Sequence, residues 1–332
     1  MNIYDIAAEA GTSISTVSRV LNNKGNVNAE IRKRVEAVLR KYDYKPSAIA
    51  RGMVSKTMKN IAILTVDVRG THYARMIYVI EQEFSNKGYN VSVCNTGGSI
   101  KECDRYFEIL SEKQTDGIVL IGSVFNRLTE CPEITAKVKD IPVVIANGAV
   151  NLPNFYSVLV DDAKAIRMAS DYLFDHGRRD LFYVYDIPTD SGKAKRRGFL
   201  EAMKLRDVPR GGERVVETGS SSLEGGREAA EKILASGLPV DGVVCGEDIT
   251  AIGLMKAFKK KGYRIPQDIA VIGCNNSPDS RICDPELTTL DNKPELLGGL
   301  CAALLRDRMD GKESASSVAI QPELVIREST AF

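Results

Sequence analysis

The sequence predicts an all-α helix-turn-helix head followed by an α/β body of two doubly wound parallel sheets. Three observations predict it. Charge divides along the chain: residues 1–59 hold eleven Lys/Arg against five Asp/Glu, a net +6, and the remainder holds 34 against 39, a net −5. Apolar residues of the head recur at helical spacing in three short segments. From Ile61 on, continuous apolar runs of strand length alternate with amphipathic helical segments, the pattern of parallel strands joined by crossover helices.

In the head, the first helix spans about Ile3 to Ala10, with Asn2 as N-cap and Asp5 in the first turn, where the helix dipole favours negative charge. Ile3, Ile6, Ala7 and Ala10 form its apolar face, and Gly11 stops it. Ser13 caps a second helix, Ile14 to Leu21, with Val17, Val20 and Leu21 inward. A third begins after Asn28 and buries Ile31, Val35, Val38 or Leu39, and Tyr42. Its outer face carries Arg32, Lys33, Arg34, Arg40 and Lys41. Two short helices separated by Ala10-Gly11-Thr12 make a helix-turn-helix, whose second helix protrudes far enough to enter a major groove about 12 Å wide. The spacing also fits an ordinary helical hairpin, and the +6 charge fits either a polyanion partner or a solvated face.

In the body, strands are expected at Ile61–Val66, Asn90–Asn95, Gly117–Ile121, Val143–Ala146, Ser157–Val160, Leu181–Tyr185, Gly212–Glu217, Gly242–Cys245 and Ile269–Gly273. Helices are expected at Tyr73–Lys87, Ile100–Glu112, Asp162–Asp175, Ala194–Leu205, Leu223–Ala235, Asp248–Lys261 and Pro294–Arg308. Ligands of such sheets bind beyond the carboxyl ends of the strands.

The seven cysteines (94, 103, 131, 245, 274, 283, 301) form no CxxC pair and sit in apolar segments, which fits reduced thiols in a cytoplasmic protein. With two histidines and no Cys/His cluster, no metal site or cofactor is expected. Met1 leads directly into a polar amphipathic helix, so export is not expected, and no apolar run approaches the ~20 residues of a membrane span. No nucleophile elbow, Walker loop, HExxH or dinucleotide fingerprint supports an enzyme. A transport-type binding protein would lack the head.

The segment from Ile3 to Asn22, IYDIAAEAGTSISTVSRVLN, closely resembles the DNA-binding head of the lactose repressor (LacI/GalR) family, which reads (I/L)xDVAxxAGVSxxTVSRVLN. The resemblance runs on through Val27-Asn28, the third helix and Tyr44–Met53, and then over the whole remaining chain. It implies three parts: a head over 1–45, a hinge helix or linker over 46–59, and an effector-binding and dimerisation body over 60–332. The body it implies is similar to periplasmic sugar-binding proteins. One subdomain takes about 60–158 and 291–318, the other 159–290 and 319–332, with crossings near 158–161, 289–292 and 317–320. The implied function is a dimeric repressor on a palindromic operator in double-stranded DNA, controlled by a small polar effector or a corepressor protein.

By the same resemblance Ile14, Ser15 and Arg19 occupy base-reading positions, and Arg19 can pair bidentately with guanine. Tyr4, Ser13, Thr16, Ser18 and Asn22 fall at phosphate-contacting or capping positions. Ser47, Ala50 and Met53 belong to the hinge, where Met53 stands at the position of the family's minor-groove leucine and is itself a known wedge residue type. The effector positions are Asp67, His72, Tyr73, Ser123, Asn147, Lys195, Glu247, Asp248 and Asn275. Sugar-responsive relatives commonly carry Arg in place of Lys195, Asp in place of Asn147 and Asn275, and Asn in place of Glu247. Lys is a point donor where Arg is a fork, although Arg196 or Arg197 would restore a guanidinium after a one-residue shift. The effector class therefore stays open among an amino sugar, another polar metabolite, an anion and a partner protein.

Overall fold

The computed structural model describes residues 2–21, 25, 27–44, 57–313 and 315–331, and the chain forms two compact units, 1–59 and 60–332. In the first unit, helix α1 (Ile3–Glu9) opens with a capping box. Asn2 Oδ1 accepts the Tyr4 and Asp5 amides, and Asp5 accepts the Asn2 amide at 2.8 Å. Ala10 closes the helix as its C-cap rather than extending it. The chain then turns through Gly11 at φ +61°, a left-handed conformation that costs a residue with a Cβ about 1–2 kcal/mol.

Helix α2 (Ile14–Leu21) starts where Ser13 Oγ accepts the Thr16 amide at 3.2 Å. Helix α3 (Ala29–Lys41) starts where Asn28 caps Glu30. Ile6, Ala7, Ala10, Val17, Val20 and Val35 form the buried core between the three helices. Tyr42 is 41% exposed rather than buried. Its hydroxyl and Lys41 Nζ (2.7 Å) both bond Glu9, fastening the end of α3 to α1.

The second unit holds two six-stranded sheets. The first contains β1 (Asn60–Thr65), β2 (Asn90–Asn95), β3 (Gly117–Ile121), β4 (Val143–Ala146), β5 (Phe155–Val160) and β11 (Ser317–Ile320), in the order β11-β5-β4-β3-β1-β2 and parallel throughout. The second contains β6 (Leu181–Tyr185), β7 (Val215–Glu217), β8 (Gly242–Cys245), β9 (Ala270–Cys274), β10 (Thr288–Asp291) and β12 (Glu323–Val325), in the order β12-β10-β9-β8-β6-β7. Its edge strand β12 runs antiparallel to β10, a departure from the all-parallel expectation. The segments that the resemblance places as crossings at 289–292 and 317–320 are largely strand, so the chain changes sheets just after Val160, Asp291 and Ile320. Residues 212–214, expected to begin a strand, belong to a turn of 3-10 helix (Gly211–Arg214) before β7.

Helices α4 (Thr71–Ser85), α5 (Ile100–Glu112) and α10 (Pro294–Met309) cover the first sheet. Helices α6 (Asp162–Asp175), α7 (Asp190–Leu205), α8 (Leu223–Ala235) and α9 (Asp248–Lys260) cover the second. The inner strands β1, β3, β4, β6, β8 and β9 are buried on both faces, which explains their largely apolar runs. In β1, Ile61 and Ile63 enter one core while Ala62 and Leu64 enter the other. In β9, Val271 lies on one side and Ala270, Ile272 and Cys274 on the other. Within the second subdomain α6 and α7 touch closely at Gly198, where a Cβ would stand 2.0 Å from the Ala163 carbonyl oxygen.

Candidate functional site

Two surfaces carry the polar groups that the sequence singles out. On α2, Ile14 is 39% exposed, Ser15 and Arg19 are exposed, Ser18 is half-buried, and Val17 and Val20 face the core. At about 100° per residue these four outward residues share one arc of the helix. Ser13 Oγ lies 2.8 Å from Ser15 Oγ and 2.9 Å from Thr16 Oγ1, so three hydroxyls gather over the helix N-terminus, where backbone N–H groups favour an anion. Tyr4 is 67% exposed on α1. The expected contacts of Asn22, Ser47, Ala50 and Met53 lie outside the described residues.

The second surface is the cleft between the two sheets of the body. Asp67, Ser123, Asn147, Glu247 and Asn275 each follow a strand within two residues, after β1, β3, β4, β8 and β9. The parallel order brings these carboxyl ends together, as it does in doubly wound sheets generally. His72 and Tyr73 come from the start of α4, and Lys195 from α7.

Lys195 is 7% exposed; its Nζ donates to the Gly246 carbonyl at 2.9 Å and lies 3.7 Å from Glu247 Oε1. Burial opposes its charge, yet Cys274, Glu247 and Asp162 around it hold its pKa well above the ordinary lysine value. Glu247 accepts Asn275 Nδ2 at 2.6 Å, and Asn275 Oδ1 in turn accepts Asn292 Nδ2 at 3.0 Å. Burial raises the Glu247 pKa, opposed by Lys195 and by the Asn275 bond. Asn147, at φ +54°, donates to Asp162 Oδ2 at 3.2 Å. His72 and Tyr73 meet edge to face at 5.8 Å. Burial, then the charges of Lys195 and Arg75, lowers His72 to about 3, so its ring is neutral. Burial and then Glu247 raise Tyr73 to about 12. Lys195 on the second subdomain thus acts electrostatically on His72 and Tyr73 of the first.

Three further expected positions are likewise engaged within the protein. Asp67 binds the Arg69 guanidinium and amide, which lower it to about 2. Ser123 Oγ accepts the Ser191 amide at 3.1 Å. Asp248, 2% exposed, accepts Thr289 Oγ1 at 2.5 Å and the Ser277 amide at 2.6 Å, and burial pushes it up to about 7. Arg196 and Arg197 are exposed, so no guanidinium replaces Lys195 in the cleft.

The structure adds three residues that the sequence reading lacks. Asp162 and Asp186, at the ends of β5 and β6, are 5% and 6% exposed, and each has one carboxylate oxygen, Oδ1, buried with no partner among the described residues. Asp186 lies directly after an apolar strand, and that position was the available signal. Asp162 opens a helix and reads as a helix-terminal acid. Arg75 of α4, braced by Glu295, donates to the Asn275 and Asn276 carbonyls at 3.2 and 2.9 Å and so bridges the subdomains. Asn126 Nδ2 to Asp190 Oδ2, at 2.8 Å, is a second bridge.

An α/β body with a polar cleft, carrying a helix-turn-helix at its amino end, defines a ligand-responsive DNA-binding regulator. Residues 2–47 match the family described as bacterial regulatory proteins, lacI family, and residues 170–330 match a periplasmic binding protein-like domain. The chain is 34% identical over 334 residues to an HTH-type transcriptional regulator of Lachnoclostridium phytofermentans, covering 100% of both. It is 33% identical to the HTH-type transcriptional repressor PurR of Pectobacterium carotovorum subsp. carotovorum, covering 99% of this chain and 96% of that protein. Among solved structures, a lac repressor dimer bound to operator and the anti-inducer ONPF shares the fold, with TM-score 0.86, 22% identity and 99% of each chain covered. The chain belongs to the LacI family and is a DNA-binding transcription regulator, not an enzyme. Among the described residues no helix is long and apolar enough to cross a membrane.

Proposed function

We propose that this chain is a cytoplasmic, homodimeric repressor that binds a roughly palindromic operator and is switched by a small polar effector in the body cleft. The observation that carries the DNA-reading part is the outward arc of Ile14, Ser15, Ser18 and Arg19 on α2, set over a fully apolar inner face. Arg19 reads a guanine, Ile14 meets a thymine methyl, and Ser15 bonds either edge. Tyr4, Ser13, Thr16, Ser18 and Asn22 hold phosphates and set the register. Ser47, Ala50 and Met53 form a hinge that enters the minor groove, with Met53 as the wedge.

In the cleft, His72, Tyr73, Asn147, Lys195, Glu247 and Asn275 touch the effector, while Asp67, Ser123 and Asp248 hold the surrounding loops. A two-fold dimer matches half-sites about one helical turn apart. Effector binding changes the angle between subdomains and with it the spacing of the two hinges. The coupling is reciprocal, so operator DNA shifts effector affinity by the same factor.

The test is operator selection from random duplex with the intact protein, followed by anisotropy titrations of Arg19→Ala. The substitution is expected to cost about 1–3 kcal/mol and to relax base preference at one position per half-site. Selectivity preserved at every position, or an intact protein that prefers no sequence over random duplex, refutes the assignment.

A further inference from the structure

The cleft holds more buried carboxyl groups than it has cationic partners for them. Asp162, Asp186 and Glu247 surround a single buried ammonium, Lys195, which stands 3.7 Å from Glu247 and donates to the Gly246 carbonyl. Arg75 is bound to Glu295, and Asp248 is satisfied by Thr289 and the Ser277 amide. His72 adds no charge, because its ring is neutral.

The hydrogen-bond inventory is lopsided in the same direction. Asp162 Oδ1, Asp186 Oδ1 and Asn292 Oδ1 are buried acceptors without a donor among the described residues, beside His72 Nδ1, which can take either role. Asp186 is the clearest case. Ser221 and Thr250 hold its Oδ2 at 3.2 and 3.1 Å, leaving Oδ1 beside Gly246. A Cβ on residue 246 would stand 3.3 Å from the Tyr183 hydroxyl and 3.5 Å from that oxygen, so the glycine leaves the side of Asp186 facing it uncrowded. Buried carboxylates left without a partner are costly, and a bound cation with N–H donors removes the cost. Among the described residues no group of three acidic, His or Cys side chains is disposed to ligate a metal ion, so these carboxylates suit a multi-atom cation better than a metal ion.

We propose that the effector carries an ammonium or guanidinium group, held by the free oxygen of Asp186 with Asp162 and Glu247 supplying the surrounding negative charge. An ammonium brings donors and no acceptor, which suits a carboxylate oxygen in want of a donor. This inference rests on the reading of the cleft as the effector site.

Two matched series test it on the full-length protein by ligand-observed NMR and thermal shift. One is glucosamine, glucose and glucuronate; the other is putrescine, 1,4-butanediol and succinate. In at least one series the amine is expected to bind about tenfold or more tightly than its neutral and anionic counterparts, a difference of about 1.4 kcal/mol. Asp186→Asn, which keeps the side-chain shape, is expected to erase that preference while far-UV circular dichroism and operator binding persist. Equal or tighter binding of a neutral or anionic member overturns the proposal, as does silence of every amine. If such binding is lost in Asn275→Ala, the cleft stands as the effector site and only the charge assignment falls. If binding survives both Asn275→Ala and Asp186→Asn, the cleft reading falls too.

Discussion

Asp186→Asn also makes a prediction that needs no ligand. Burial, then the negative charge of Glu247, pushes the Asp186 carboxyl from 3.8 to about 7, although Lys195, Thr250 and Ser221 pull it down. A group whose pKa is raised on folding contributes stability that is fully present below its unfolded pKa and is lost as pH rises through its folded pKa. The window for Asp186 is therefore about pH 4 to 7. At 1.36 kcal/mol per pH unit, the carboxyl withdraws about 4 kcal/mol across it. Asparagine cannot titrate, so this slope disappears in the variant. An amide with an unpartnered end has its own cost of about 1–3 kcal/mol, but that cost does not depend on pH. The variant is thus expected to be less stable than the wild type near pH 4.5 and to gain on it by about 3 kcal/mol by pH 8. Asp248, also raised to about 7, contributes equally to both proteins and cancels. The assay is urea denaturation followed by tyrosine fluorescence, since the chain has no tryptophan, at fixed protomer concentration because dimerisation adds to apparent stability. Stability curves that stay parallel from pH 4.5 to 8 refute the argument.

Gly11→Ala is expected to cost about 1–2 kcal/mol, because φ is +61° while the nearest side-chain atom, on Arg34, leaves room at 3.8 Å; Gly11→Asn, measured beside it by amide exchange of the head, should cost less, and equal losses would point to a steric cause. Gly198→Ala gains about 1 kcal/mol of helix propensity but drives a Cβ to 2.0 Å from the Ala163 carbonyl. Overpacking of about 1–3 kcal/mol should dominate, and an unchanged or higher melting temperature would contradict the close helix approach. Met53→Gly should weaken operator binding more than binding to random duplex, and equal losses in titrations at one salt concentration would mark residues 46–59 as a passive linker.

The elements with clean periodicity are legible from the sequence, and the exceptions have physical causes. The family resemblance places a crossing near 289–292, yet Thr288 and Thr289 are fully buried in β10. Their hydroxyls are satisfied locally, Thr288 with Thr330 at 2.7 Å and Thr289 with Asp248 at 2.5 Å, so a core strand needs no apolar composition there. Strand β12 is three residues long, too short to show alternation. In the cleft, positions after strands are legible because parallel topology alone gathers them. Which of them are engaged internally is not. Asp67 turning to Arg69, and Arg75 reaching carbonyls 200 residues away, depend on side-chain geometry that sequence spacing does not carry.

The contacts across the cleft bear on how a small effector can switch the body. Arg75 to the Asn275 and Asn276 carbonyls, the Ser191 amide to Ser123, and Asn126 to Asp190 bridge the subdomains. Each is exposed or part-buried, so the neutral Ser191 bond contributes about 0.5–1.5 kcal/mol and each charged one up to about 1.5–3 before solvent screening reduces it. An effector bound at micromolar strength supplies about 8 kcal/mol. Only the part that distinguishes one subdomain angle from the other shifts the population, and about 5.5 kcal/mol moves it from 1:99 to 99:1. A ligand that also relieves unpaired buried carboxylates gains most in the arrangement where those carboxylates are enclosed. Placing unmatched charge at the subdomain boundary therefore makes binding energy differential between the two states, which is the condition for a switch.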